Sequence, residues 1–155
     1  MTPRFWLMKT EPTTYSIEDL QRDGVTSWEG VRNYQVRNLM RDEMRRGDKV
    51  LIYHSNAKPP GVVGVAEVVR EAYPDHHALD PSSHYYAQKA TADKNPWVMV
   101  DVAFVAQLPR LVSLDELKAA PQLEGMWVLR RGSRLSVQPV DEAHFSAVLA
   151  LADQG

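Results

Sequence analysis

The order of apolar segments along the chain constrains its fold more than any other feature. The segment at residues 5–9, apolar over its first four residues, has the length of a short strand, and two segments that we predict as helices follow it. Strand-like runs rich in valine or isoleucine then come at residues 50–53, 62–69 and 97–105. This order predicts an α+β fold, with a curved, mixed or mostly antiparallel sheet and helices at its rim.

Capping residues indicate where the helices begin and end. Serine, threonine, asparagine and aspartate favour the start of a helix, and glycine favours its end. The predicted elements are a short helix between Ser16 and Gly24, a helix at 34–46, a helix at 114–119 capped by Ser113, a last strand at 135–137 and a terminal helix capped by Asp141.

Composition is typical of one globular domain spanning residues 1–155, with 44% apolar and 25% charged residues. The absence of cysteine excludes thiol nucleophiles, disulfides and cysteine-liganded zinc, and it fits a reducing compartment. The apolar run at 5–8 is too short for a signal peptide, and no stretch reaches the length of a membrane span. We therefore expect a cytoplasmic or nucleoid-associated protein with no membrane partner.

The net charge of -2 indicates that any basic surface must be local. Proteins that coat nucleic acid unspecifically usually carry a strongly basic face, because they neutralise phosphates. Arg41 and Arg46 are best explained as solvated side chains of the second helix. The predicted phosphate contacts are Arg37 on that helix, and Arg130, Arg131 and Arg134 beside the last strand.

Two clusters of polar and aromatic residues lie at the ends of predicted elements. Residues 28–35 (WEGVRNYQ) open the second helix, and residues 53–56 (YHSN) close a strand. Together they offer flat aromatic faces, a planar cation and directional hydrogen-bonding groups. Such groups can hold one unstacked nucleobase and read its edge. We therefore predict a module that binds a modified or flipped base and is not an enzyme.

Each cluster also has a purely structural interpretation. Trp28 is equally well explained as a core residue, and Asn33 as the N-cap of the following helix. Ser55 and Asn56 are typical turn residues, although a turn gives no reason for His54. Both interpretations stay open on the residues alone.

The segment 71–96 is long and irregular, and such segments are often functional. It contains the group of residues that most resembles a metal site. Its candidate ligands are Asp75, His76, His77, Asp80 and His84. Their spacing matches no familiar motif, so we expect neither a metal nor another cofactor. The common signatures of hydrolases, nucleotide-binding folds and zinc deaminases are missing from the sequence.

Many segments, in one order, resemble the EVE domain family. The similar segments are residues 6–12 (WLMKTEP), 15–20 (YSIEDL), Trp28 with 30–38 (GVRNYQVRN), 47–48 (GD), 53–56 (YHSN), 61–68 (GVVGVAEV), 73–75 (YPD) and 134–140 (RLSVQPV). Because they run through most of the chain, the resemblance is specific.

The resemblance implies a PUA-like fold, in which a curved sheet closes into a pseudo-barrel surrounded by helices. It also implies kinship with YTH domains, which bind N6-methyladenine in an aromatic cage. Members of the EVE family are thought to read modified cytosines in DNA, including 5-methylcytosine and 5-hydroxymethylcytosine. We therefore expect a monomer whose partner is a nucleic acid with a modified base, DNA rather than RNA.

With the resemblance, the predicted base-binding pocket draws on four parts of the chain. Its residues are Lys9, Glu11, Trp28, Arg32, Asn33, Tyr34, Tyr53, His54, Ser55, Asn56, Ser136 and Gln138. One alternative is an RNA-binding or RNA-modification accessory domain that uses the same pocket. A second is a small-molecule-binding protein or an enzyme that works through Glu11, His54 and the histidine-containing segment.

Overall fold

A computed structural model describes residues 3–130 and 135–154, and within them the chain forms one six-stranded sheet. The strands are β1 (Phe5–Thr10), β2 (Val25–Trp28), β3 (Lys49–His54), β4 (Gly61–Pro74), β5 (Val98–Ser113) and β6 (Val137–Val140). The α-helices are α1 (Ile17–Asp23), α2 (Tyr34–Asp42), α3 (Leu114–Ala119) and α4 (Glu142–Asp153). Short 3-10 helices lie at His76–Leu79, Pro121–Leu123 and Trp127–Leu129.

The strands lie in the order β2-β5-β4-β3-β1-β6, so β2 and β6 form the edges of an open sheet. In the described chain β1 and β3 are the one parallel pair, and all other neighbours are antiparallel. The predicted α+β class with a mixed, mostly antiparallel sheet is therefore confirmed.

Two apolar cores lie on opposite faces of the sheet. Alternate residues of a strand point to opposite faces. Trp6, Met8, Val50 and Ile52 point to one face and Leu7, Leu51 and Tyr53 to the other. Helices α1 and α2 pack on the first face, and α3 and α4 on the second. Burial of both faces explains why β1 and β3 are nearly continuous apolar runs.

Most predicted helix boundaries are confirmed. Ser16 begins α1 with a capping box, in which its hydroxyl accepts from the Asp19 amide and the Asp19 carboxylate accepts from the Ser16 amide. Gly24 ends α1 with a φ of 78°, and Ser113 caps α3. Asp141 holds the N-cap position of α4, but its side chain makes no capping hydrogen bond.

Helix α2 ends at Asp42, so the prediction that it extends to residue 46 is wrong. The buried carboxylate of Asp48 accepts from the backbone amides of Arg45 and Arg4, at 2.9 and 3.0 Å, and from the indole of Trp6, at 2.9 Å. These bonds hold the chain after α2 in a turn that leads directly into β3.

The strands differ from prediction mainly in their extent. Strands β4 and β5 are longer than predicted, and their pairing shifts register at several bulges. The short edge strand β2 was not predicted, because four residues are too few to show a clear alternation. The last strand begins at Val137 rather than at residue 135. At the other edge of the sheet, β2 ends at Trp28, and a loop at 29–33 separates Trp28 from α2.

Candidate nucleic-acid interface

A cavity of about 490 Å³ lies where the end of β1 meets β2 and the loop that follows β2. Its walls come from residues 9–11, 14–15, 26–33 and 84–85, and from Ser136. We call it the first cavity. Of the predicted pocket residues, it brings together Lys9, Glu11, Trp28, Arg32, Asn33 and Ser136.

A buried ion pair fixes the loop that forms one wall of the first cavity. Asp75 is fully buried, and one carboxylate oxygen accepts from the Gly30 amide and from Arg32 Nη1, both at 3.0 Å. Its other oxygen accepts from the His77 amide at 2.9 Å. Arg32 also donates to the carbonyl of Tyr85. Asp75, which the sequence placed among possible metal ligands, thus joins the 29–33 loop to the segment that contains Tyr85.

Gly30 lets the Tyr85 ring pack directly against the backbone of this loop. Gly30 has a φ of 84°, a left-handed conformation that other residues rarely adopt. A Cβ atom at this position would lie 2.5 Å from two ring carbons of Tyr85. Tyr85 therefore forms an aromatic wall of the cavity only because residue 30 has no side chain.

Trp28 and Asn33 each combine a structural role with a place in the wall. Trp28 packs partly against the first core and also lines the cavity. The Asn33 side-chain oxygen accepts from the Val36 amide at 3.0 Å, which makes Asn33 the N-cap of α2. Its amide NH2 group therefore remains as a hydrogen-bond donor at the cavity.

Glu11 and Lys9 bring opposite charges to the end of β1. The Glu11 carboxylate lines the cavity and accepts from Asn56 Nδ2 at 3.0 Å. Asn56 adopts a left-handed φ of 52° and acts behind Glu11 rather than in the wall. Partial burial lowers the pKa of Lys9, whose ammonium lies 5.8 Å from the centroid of the Tyr53 ring.

Six predicted pocket residues are not among the described residues that line the first cavity. Asn56 contacts Glu11, and Tyr34 lines a second, separate cavity. Tyr53 is buried in the second core. The Ser55 amide donates to Thr10 O at 3.0 Å, and Gln138 is buried and donates to Leu135 O at 2.9 Å. The hydrogen bonds of Ser55 and Gln138 tie strands and loops together outside the first cavity.

His54 is the sixth of these residues, and the structure gives it a structural role that a turn at Ser55 and Asn56 did not explain. It is buried, and its Nε2 atom accepts from the Ile17 amide, at the start of α1, at 3.1 Å. Burial lowers the pKa of His54, although the nearby Glu18 carboxylate opposes this shift. A neutral imidazole is required, because a protonated Nε2 could not accept this hydrogen bond.

The predicted phosphate contacts are only partly described. Arg37 donates to Pro96 O at 3.0 Å, and its guanidinium lies 5.0 Å from the Tyr34 ring centroid. Arg130 is exposed and lies 4.5 Å from the ring centroid of Trp127. Arg131 and Arg134 lie outside the described residues, so their predicted role stays a prediction.

A second cavity, of about 860 Å³, shares Arg32 with the first. Its other lining residues are Tyr34, residues 86–90 and residues 93–97. No sequence pattern predicted this cavity, or a place for Tyr85 and His84 in the wall of the first. The only available signal was the length of the irregular segment that contains them, because such segments lack periodicity.

Two further features of the described residues bear on function. No group of three or more histidine, aspartate or glutamate side chains among them is arranged to hold a metal ion. In the same part of the chain, every helix is too short or too polar to cross a bilayer.

Comparisons with known proteins show which family the chain resembles in sequence and in fold. A profile of the EVE domain matches residues 4–151. Thymocyte nuclear protein 1 of Rattus norvegicus is 41% identical over 168 aligned residues, which cover 96% of this chain and 74% of that protein. The structure of a hypothetical protein from Leishmania major has a TM-score of 0.94 and 49% identity, covering 99% of this chain and 96% of that one.

A crystal structure of human THYN1 protein in complex with DNA that contains 5-methylcytosine is also similar. Its TM-score is 0.91 at 38% identity, covering 98% of this chain and 99% of that one. Fold and site thus define an open-sheet α+β domain with a polar, aromatic cavity beside its first strand. The chain belongs to the EVE domain family, and the PUA-like fold that the resemblance implied is confirmed.

Proposed function

We propose that this protein reads a modified cytosine in DNA by holding the extruded base in the first cavity. The observation that carries the proposal is a polar, aromatic cavity in a chain similar to a protein solved on 5-methylcytosine DNA. The proposed reader is a monomer without catalytic activity. The chemistry of the cavity supports a base as its occupant.

The hydrogen-bonding groups in the cavity complement the edge of cytosine. The exocyclic amino group of cytosine is a donor, and carboxylates commonly accept from it. Glu11 supplies that carboxylate, while the Asn33 amide and the Lys9 ammonium can donate to the acceptors on the same base edge. Asn56 holds Glu11 at 3.0 Å and so acts as a positioning residue.

Aromatic walls offset part of the energy needed to extrude the base. Unstacking a base costs a few kcal/mol, and each stacked base gains about 1–3 kcal/mol from an aromatic side chain. Trp28 and Tyr85 provide such surfaces. An added methyl group contributes only about 1–3 kcal/mol through apolar contact, so we expect moderate selectivity for 5-methylcytosine. A hydroxymethyl group would be distinguished further if Asn33 bonded its hydroxyl.

The geometry does not favour an enzyme that uses Glu11 and His54. His54 is buried against the start of α1, where its Nε2 atom accepts from a backbone amide. It is not one of the described residues that line the cavity with Glu11. RNA binding stays an alternative, because the same cavity would accept a single-stranded base.

Fluorescence anisotropy at one fixed salt concentration tests the proposal. Matched DNA and RNA oligonucleotides would carry cytosine, 5-methylcytosine, 5-hydroxymethylcytosine or N6-methyladenine at one position. We expect the tightest binding to DNA with a modified cytosine. We also expect Glu11→Gln to remove about tenfold of that affinity, while the exposed control Glu124→Gln does not. Equal binding to all oligonucleotides would overturn the proposal, and preference for RNA would favour the alternative.

A further inference from the structure

Among the described residues, Arg32 is the one that lines both the first and the second cavity. Arg32 is fixed there by its bonds to Asp75 and to the carbonyls of Val31 and Tyr85. A ligand that extends from the first cavity past Arg32 would therefore enter the second.

Exposed aromatic side chains line the second cavity. The described chain exposes four large apolar side chains, and two of them, Tyr34 and Tyr86, lie here with 58% and 43% of their surfaces accessible. Tyr34 is held against Trp97, with ring centroids 4.7 Å apart. An exposed but well-supported aromatic ring is the type of surface on which unpaired bases stack.

Positive charge is concentrated in the same cavity. Its lining includes Lys89 and Lys94 against the single carboxylate of Asp93, while the charge of Arg32 is balanced by the buried Asp75 carboxylate. The whole chain has a net charge of -2, so this local excess runs against its overall charge. Phosphate contacts depend on such cations.

Helix α2 and the turn that follows it do not supply an equivalent row of cations. Arg41 pairs with Asp42 at 2.8 Å. Arg45 donates to the carbonyls of Asp42 and Met44 at 2.8 and 3.0 Å. The ammonium groups of Lys89 and Lys94 make no hydrogen bond or ion pair with the described residues, which favours them as phosphate ligands.

We infer that the second cavity is a subsite for the nucleotide next to the base held in the first cavity. The neighbouring base stacks on Tyr86, in a cavity that the Tyr34–Trp97 ring pair also lines, and Lys89 and Lys94 bind its phosphate. This inference rests on the proposed function for the identity of the ligand, a nucleic acid strand. It adds a site that reads no modification and contributes affinity to any sequence.

The test uses short single-stranded DNA with one 5-methylcytosine, flanked by normal nucleotides or by an abasic site on its 5′ or 3′ side. We expect the parent protein to lose about tenfold in affinity when the neighbour on one side lacks its base. Tyr86→Ala should remove that difference. An abasic site that has no effect on either side would overturn the inference.

Lysine variants test the phosphate contact separately. Lys89→Gln and Lys94→Gln should each weaken binding of modified and unmodified strands equally, and lower the salt slope by about 0.7 per lost contact. The matched control is Lys118→Gln, an exposed residue of α3. Slopes equal to that of the parent would contradict the subsite.

The two proposals fail in different ways. A parent protein that binds cytosine, 5-methylcytosine and 5-hydroxymethylcytosine equally refutes the proposed function, whereas the abasic and salt effects would still support the subsite. A parent that prefers 5-methylcytosine, with the Tyr86, Lys89 and Lys94 variants unchanged in affinity and salt slope, refutes the subsite alone.

Discussion

At the residue scale, Asp75 shows how one buried carboxylate determines the shape of the candidate site. It holds the Gly30 amide and Arg32 on one side and the His77 amide on the other. The first cavity therefore depends on a residue that does not line it. The sequence could not reveal this role, because Asp75 lies 45 residues from Gly30 along the chain.

Replacement of Asp75 tests this dependence. We expect Asp75→Ala to lower the free energy of unfolding by about 3–5 kcal/mol, because it leaves a partly buried guanidinium without its partner. Urea denaturation measures the effect. The control Asp42→Ala breaks an exposed ion pair with Arg41 and should leave stability almost unchanged. Similar losses in both variants would contradict the anchoring role.

His54 provides a second test at the residue scale, through the pH dependence of stability. Its pKa in the folded protein lies below the usual value of 6.5, so the unfolded chain binds the proton more readily. The contribution of His54 to stability is therefore complete above about pH 6.5 and is lost as the pH falls below it. We expect His54→Gln to reduce the difference in unfolding free energy between about pH 7.5 and about pH 5.5. An unchanged difference would contradict the buried, neutral state of His54.

At the element scale, the candidate site is formed by two loops packed against each other. The 29–33 loop contributes Gly30 and Arg32, and the long segment between β4 and β5 contributes Tyr85. The sequence predicted helix starts well, because capping depends on neighbouring residues. It could not predict how the loops pair, since contacts between distant irregular segments leave no periodic pattern.

Substitutions at two glycines distinguish the effect of Tyr85 packing on the 29–33 loop from the effect of backbone strain. Gly24 and Gly30 both have positive φ, at 78° and 84°, but a Cβ at Gly24 would meet no atom within 4 Å. We expect Gly24→Ala to cost about 1–2 kcal/mol from backbone strain alone. Gly30→Ala should cost more in urea denaturation and should also weaken binding to modified DNA. Equal costs with unchanged binding would show that Tyr85 does not need close contact with residue 30.

At the scale of the whole molecule, the net charge has the opposite sign to the charge around the second cavity. The net charge is -2, whereas three of the four charged residues that line the second cavity are cations. The α+β class and the sheet type followed from the order of apolar segments. Of the polar residues that the sequence singled out, Trp28, Arg32 and Asn33 line the first cavity, and their role in binding a base stays a prediction. Tyr53 and His54 are also aromatic or polar, but they are buried and do not line the cavity. Their burial could not be predicted, because residue type does not reveal which face of a strand a side chain occupies. A cytoplasmic location stays a prediction.

The central claim is that a modified cytosine enters the first cavity, and NMR of labelled DNA tests it most directly. The duplex would carry one 5-methylcytosine with a ¹³C-labelled methyl group and would be titrated with the protein. The account predicts that on binding the methyl group loses its contacts with neighbouring bases and gains nuclear Overhauser effects to the rings of Trp28 or Tyr85. A bound duplex in which the methyl group keeps its stacked neighbours and gains no contact with these rings would contradict the account.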